Sequence, residues 1–95
     1  MDANEVLQEY AGGERNFREQ DLKNLNFVKA NLSGVDFTGA HLDGSDLSNS
    51  DLRNANLNWA TFKGANLTGA NLKGAKMPDG SMHNDYLESA NYLGI

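Results

Sequence analysis

Ala30-Asn31-Leu32-Ser33-Gly34, Val35-Asp36-Phe37-Thr38-Gly39 and Ala40-His41-Leu42-Asp43-Gly44 are consecutive copies of one five-residue unit, which continues without a break to Gly74. The large apolar residue of each unit, its centre, falls at Phe17, Leu22, Phe27, Leu32, Phe37, Leu42, Leu47, Leu52, Leu57, Phe62, Leu67, Leu72 and Met77. Two residues ahead of the centre stands a small residue, at Ala30, Ala40, Ser45, Ser50, Ala55, Ala60, Ala65, Ala70 and Ala75. A period of five fits neither the 3.6 of a helix nor the 2 of a strand. On a helix, successive centres step round by about 140° and dress every face. An uninterrupted strand sends alternate centres to opposite sides. A short extended segment followed by a corner, repeated, keeps each centre and its small neighbour on one side.

The corner falls on the two residues after the centre. The second of these is Gly or Asn at Asn24, Gly34, Gly39, Gly44, Asn49, Asn54, Gly64, Gly69 and Gly74, the third position of a type II turn, where φ is positive. Glu19, Lys29 and Trp59 depart from this rule and are expected at corners of a different turn type. Four corners of about 90° close a square coil of about 20 residues, and each coil pairs in parallel with the next at roughly 4.8 Å. Phe17, Phe37, Leu57 and Met77 then form one interior ladder, and Leu22, Leu42 and Phe62 a second. Phe27, Leu47 and Leu67 form the third, and Leu32, Leu52 and Leu72 the fourth. The chirality of parallel crossovers favours right-handed winding. The expected fold is an all-β solenoid, a right-handed quadrilateral parallel β-helix of about three to four coils.

The A-N/D-L-x-x unit resembles that of the pentapeptide repeat proteins over residues 15 to 79. The flanks 7–15 and 77–83 resemble those of short cyanobacterial members. The resemblance implies the same right-handed quadrilateral β-helix and a mostly non-enzymatic family. It also implies an alternative, because one branch mimics DNA in shape and charge and acts on DNA gyrase.

Outside the repeat, Asp2 or Asn4 is placed to cap a helix whose Val6, Leu7, Tyr10 and Ala11 share a face, ending at Gly12-Gly13. The first coil of a solenoid leaves apolar interior and strand edges open, so residues 1–13 are expected to be a helical cap on a coil of residues 14–79. Arg15, Gln20 and Leu25 fill small-residue slots next to that lid, where side chains can escape the tube. After Met77-Pro78-Asp79-Gly80 the pattern decays, although Met82, Leu87 and Tyr92 keep the phase of five. Asp85 in a buried slot is costly. Residues 80–95 are therefore expected to be a C-terminal cap, with a short helix through Tyr86, Leu87, Ala90 and Leu93. Its apolar residues, with Tyr92 and Ile95, offer a homodimer contact through that end as an alternative.

Composition narrows the function classes. The 95 residues are 39% hydrophobic, with mean hydropathy -0.60 and no cysteine. A polar chain of this kind is disordered by default, but disorder gives no reason for evenly spaced Leu and Phe. Disulfides and thiol chemistry are excluded. Met1-Asp2-Ala3-Asn4-Glu5 lacks the apolar run of a signal peptide, and no segment approaches the roughly 20 apolar residues of a membrane span. A cytoplasmic protein without membrane contact is expected.

Outward positions carry whatever chemistry there is. Lys23, Asp43 and Lys63 are expected to stack as an alternating charge ladder, and Asp21 and His41 as neighbours. One His beside one carboxylate is far short of a metal site or a triad, and His83 stands alone. Asn and Asp residues just before the centres are expected to bond corner backbone. No catalytic, cofactor-binding or metal-ligating residue and no cofactor is expected. Trp59, taking a corner slot and pointing outward, is the candidate contact residue, since Trp is enriched at interaction hot spots. The expected function is a non-catalytic structural or protein-interaction module with an unidentified protein partner. A DNA mimic acting on DNA gyrase is the alternative. The net charge of -5 invites it, but the acids at 2, 5, 9, 14, 85 and 88 lie beyond the coil or at its very start, and the rest is left nearly neutral. A phosphate mimic needs about one negative charge per 1.7 Å. Direct nucleic-acid binding lacks a basic patch or a stacking platform.

Overall fold

The computed structural model describes residues 1–83, and its framework is a set of parallel backbone contacts twenty residues apart. Asn16 pairs with Asp36, Asp21 with His41, Asn26 with Asp46 and Asn31 with Asp51, and the same spacing carries on to Asn56 with Lys76. Each unit is tied to the next coil in the same way. Phe17 N–H donates to Asp36 O at 2.9 Å, Asp36 N–H to Arg15 O at 2.8 Å, and the corner residue Glu19 N–H to Thr38 O at 2.8 Å. The chain is a β-helix solenoid built from segments too short to be continuous strands.

The winding puts like residues over like. Every centre from Phe17 to Met77 is buried, with Leu32, Leu52 and Leu72 wholly so. Phe17 meets Phe37 edge-on, with ring centroids 6.1 Å apart. Burial of one such side chain stabilises by about 1.5–3 kcal/mol, so the column of centres supplies the core that composition made scarce. Alanines and serines in the slots between them are also buried.

The corners correct one expectation. Glu19, Lys29 and Trp59 do not occupy a different turn. Their φ values of 61°, 56° and 66° fall with Asn24, Asn49 and Asn54, and the corner glycines follow at 69° to 76°. Closing bonds run from the fourth residue back to the first, as from Val35 N–H to Leu32 O at 3.1 Å. The reason lies in the neighbouring coil. Lys29 N–H must meet Ser48 O at 3.0 Å and Trp59 N–H must meet Pro78 O at 3.1 Å. Those bonds hold the backbone left-handed against a cost of roughly 1–2 kcal/mol for an L-residue.

One corner is closed differently. Leu25 is too large for its small-residue slot and is only partly buried. The buried Ser45 hydroxyl, one coil on, donates to Leu22 O at 2.6 Å and accepts from Leu25 N–H at 2.9 Å. It stands where a direct turn bond runs at the later corners. Ser50 differs, because its hydroxyl bonds Leu47 O at 2.6 Å, a carbonyl already held by the Ser50 N–H.

Local chemistry also orders the segments that flank the coil. Helix α1 spans Ala3–Ala11, with Asp2 as N-cap. Asp2 and Glu5 form a reciprocal capping box, each side chain accepting the other's backbone N–H at 2.8 and 3.1 Å. Val6 and Tyr10 are buried, Leu7 is partly so, and Ala11 is exposed. Tyr10 hydroxyl reaches Ser33 O, while Arg15 lies outside the tube with its guanidinium 3.6 Å from the Tyr10 ring centroid. At the other end the chain reverses. β1, Ala75–Lys76, pairs antiparallel with β2, Met82–His83. Gly74 and Met77 N–H, the equivalents of groups that elsewhere meet the next parallel coil, donate to His83 O at 2.6 Å and Ser81 O at 2.7 Å. Met82 keeps the phase of five yet is exposed, because reversal of the chain puts it opposite the outward Lys76. The turn between β1 and β2 is held by Asp79, whose carboxylate accepts Ser81 Oγ at 2.6 Å and Ser81 N–H at 2.9 Å. These bonds lower the Asp79 pKa below the ordinary carboxylate value. The helix expected through Tyr86, Leu87, Ala90 and Leu93, and the homodimer contact with Tyr92 and Ile95, lie outside the described residues.

Three outcomes test this framework. Ser45→Ala strands Leu25 N–H and Leu22 O and should cost about 1–3 kcal/mol, whereas Ser50→Ala should cost under about 1 kcal/mol. Urea midpoints at unchanged slope read both. Gly64 has open space where a Cβ would point, but a Cβ at Gly44 runs into the Asn24 carboxamide. Gly64→Ala should therefore cost only the roughly 1–2 kcal/mol of left-handed strain and Gly44→Ala more. Asn24→Gly in the Gly44→Ala background should recover the difference. Finally, Asp79 is depressed, so its support of the turn is present above the ordinary Asp value and lost as pH falls through its lower folded value. The Ser81 amide resonance should titrate with a midpoint below 3.8, and Asp79→Asn should abolish that transition.

Candidate functional site

Most outward polar groups are taken up by the coil itself. Where Asn or Asp stands before a centre, its side-chain oxygen accepts the backbone N–H two residues later. Asn16 does so from Arg18 at 3.1 Å, Asn26 from Val28 at 2.9 Å, Asp46 from Ser48 at 3.0 Å and Asn66 from Thr68 at 3.0 Å. Such Asx turns favour the corner. They also fix one oxygen of each of these side chains at its own corner.

The residues singled out for chemistry are separated by the same bonds. Asp21 sits beside His41 in the parallel pairing, but its carboxylate accepts Lys23 N–H at 3.2 Å and His41 Nδ1 faces Thr61 Oγ1 at 3.1 Å. Lys23, Asp43 and Lys63 stack at twenty-residue spacing. Asp43, however, accepts the Lys63 backbone N–H at 3.3 Å. Thr61 stands where Asn or Asp usually serves that N–H, so a carboxylate from the previous coil takes the place. Sequence reasoning missed this role, whose signal was Thr61 breaking the Asn/Asp pattern. An ion pair does form between Arg53 and Asp51, Nε to Oδ1 at 2.9 Å and Nη2 to Oδ2 at 2.7 Å. Bonds from the Arg53 side chain lower the Asp51 carboxyl below its ordinary pKa. The pair is exposed and worth about 0–1 kcal/mol. His83 closes β2. Among the described residues no group of three or more His, Cys, Asp or Glu is placed to hold a metal ion, and no helix is long and apolar enough to cross a membrane.

What remains is a surface corner. Trp59 is 75% exposed and Met82 61% exposed. Asn56, three residues before Trp59, pairs with Lys76, and Lys76 pairs with Met82. Trp59 N–H donates to Pro78 O. Trp59, Lys76, Pro78 and Met82 thus gather at one end of one face. Along the chain, residues 52–78 hold Arg53, Lys63, Lys73 and Lys76 and no acid, although Arg53 is paired with Asp51 and the Asp79 carboxylate follows Pro78. Summing charge over the whole tube hides this segregation.

The pentapeptide repeats family model matches eight copies over residues 16–39, 30–69 and 40–79. No curated protein sequence matches the chain. Among solved structures, the pentapeptide repeat protein Rfr23 from the cyanobacterium Cyanothece 51142 is 36% identical over 58% of this chain and 37% of its own, with TM-score 0.57. HetL from Nostoc sp. strain PCC 7120, a pentapeptide repeat protein involved in heterocyst differentiation regulation, is 40% identical over 72% of this chain and 36% of its own, with TM-score 0.34. The pentapeptide repeat protein alr5209 from Nostoc PCC 7120 is 30% identical over 80% of this chain and 75% of its own, with TM-score 0.40. The chain spans little more than a third of the length of the first two. With the coil pairing at twenty residues and its centres buried along the matched span, this chain belongs to the pentapeptide repeat family.

Proposed function

We propose that the protein is a non-catalytic protein-interaction module, a right-handed quadrilateral parallel β-helix of about three to four coils. Residues 1–13 close one end of the coil of residues 14–79, and residues 80–95 close the other. Trp59 is the contact residue. The observation that carries this reading is the engagement of the Asn and Asp side chains by their own corner N–H groups. An active site needs convergent polar groups, and here each of these side chains is tied to its own corner, five residues from the next. An exposed indole is a group the fold does not need, and it suits a partner's surface.

The DNA-mimic alternative needs a continuous negative surface, and the run of bases from 52 to 78 without an acid works against it. In a gyrase supercoiling assay the purified chain should leave activity unchanged. Dose-dependent inhibition would replace the module reading with the mimic. In affinity capture from the source cell, Trp59→Ala should keep the wild-type unfolding free energy within about 0.5 kcal/mol, as an exposed substitution does, yet lose the partner that wild type enriches. Equal capture by both proteins would remove Trp59 from the interface.

A further inference from the structure

The corner built by Trp59, Lys76, Pro78 and Met82 goes beyond the presence of a contact residue, because its surroundings select the chemistry of what binds. We propose that this corner docks an acidic protein segment that carries an apolar side chain. The proposal rests on the interaction-module reading and names the class of partner. Two large apolar side chains, Trp59 and Met82, are exposed on either side of Lys76 in adjoining rungs of one face. The backbone bond from Trp59 to Pro78 O and the antiparallel pairing of Lys76 with Met82 fix their spacing before a partner arrives. A preformed anchor loses little ordering entropy on binding.

Charge complementarity decides the partner's sign. Lys73 precedes Lys76 across the Gly74 corner, and Lys63 follows Trp59 on the next face. The nearest acid in the same corner column as Trp59 is Asp79, whose carboxylate is engaged by the Ser81 hydroxyl and N–H. A cationic partner would meet Lys76 on this face and Lys63 on the next, with the charged Asp79 carboxylate opposing them in the Trp59 column. A carboxylate-bearing segment meets lysines, while its apolar side chain covers Trp59 and Met82. Duplex DNA fits less well, because three lysines spread over three faces do not track a line of phosphates and Met82 has no role against a phosphate backbone.

Trp59 is the sole tryptophan, so its emission reports the corner directly. The full-length chain is titrated with a synthetic amphipathic peptide of Glu and Leu, with the same peptide carrying Lys for Glu, and with a duplex oligonucleotide. The acidic peptide should give a saturable blue shift, and Lys76→Glu should weaken its binding by at least about tenfold. Raising salt should weaken it further, and Met82→Ser should weaken it without changing the salt dependence. Lys23→Glu, on the opposite half of the tube, should bind as wild type. Equal response to the Lys peptide, a stronger response to the oligonucleotide, or wild-type binding by Lys76→Glu overturns the proposal. A shift that appears with protein concentration alone, without peptide, assigns the corner to a second copy and also overturns it. If a cellular partner is lost on Trp59→Ala but the acidic peptide gives no shift, the acidic assignment fails while the module reading stands.

Discussion

The backbone bond from each corner residue between Glu19 and Trp59 to a carbonyl nineteen positions later is the constraint on which the rest depends. It holds the corner in the left-handed region whatever side chain is there, as Glu19, Lys29 and Trp59 demonstrate. Holding the corner sets the coil at twenty residues, and that length puts Leu over Leu and Phe over Phe. The buried column then returns the stabilisation, at about 1.5–3 kcal/mol for each centre, that the strained corners consume. Neither part stands alone. Without the register the centres have no common interior, and without the centres five-residue segments are too short to pair.

The same economy governs the outer surface. A small polar domain normally leaves Asp and Asn free for water or ligand, but here nearly every such residue ahead of a centre holds a corner N–H. Where the sequence departs from that pattern, a neighbour substitutes. Asp43 reaches forward one coil to serve Lys63, and Ser45 reaches back one coil to join Leu22 and Leu25. Both substitutions run along the tube axis, so a change at one position is felt twenty residues away rather than at its chain neighbours.

That axial coupling explains which features were legible beforehand. The spacing of Leu32, Leu52 and Leu72 was readable from the chain because period and side-chain size together leave one geometry. The turn type at Lys29 was misread, since local preference for Gly or Asn was weighed without the tertiary bond that overrides it. The bridging role of Ser45 is invisible in its own unit and emerges only with Leu25 placed beneath it. Met82 misleads in another way, for a period of five carries no information about the direction of the chain. The basic run from Arg53 to Lys76 was present in the letters throughout, but only placement of Trp59 and Met82 on the same face gave it meaning.

The reversal at β1 and β2 has a consequence for assembly. A parallel coil is in principle a template, each turn offering the next a matching row of donors and acceptors, which is the logic of fibril growth. At Ala75–Lys76 that row is met by a strand of opposite polarity. A newcomer approaching this side finds no edge of the kind that built the stack. On this face a further parallel turn is refused by direction rather than by charge or bulk.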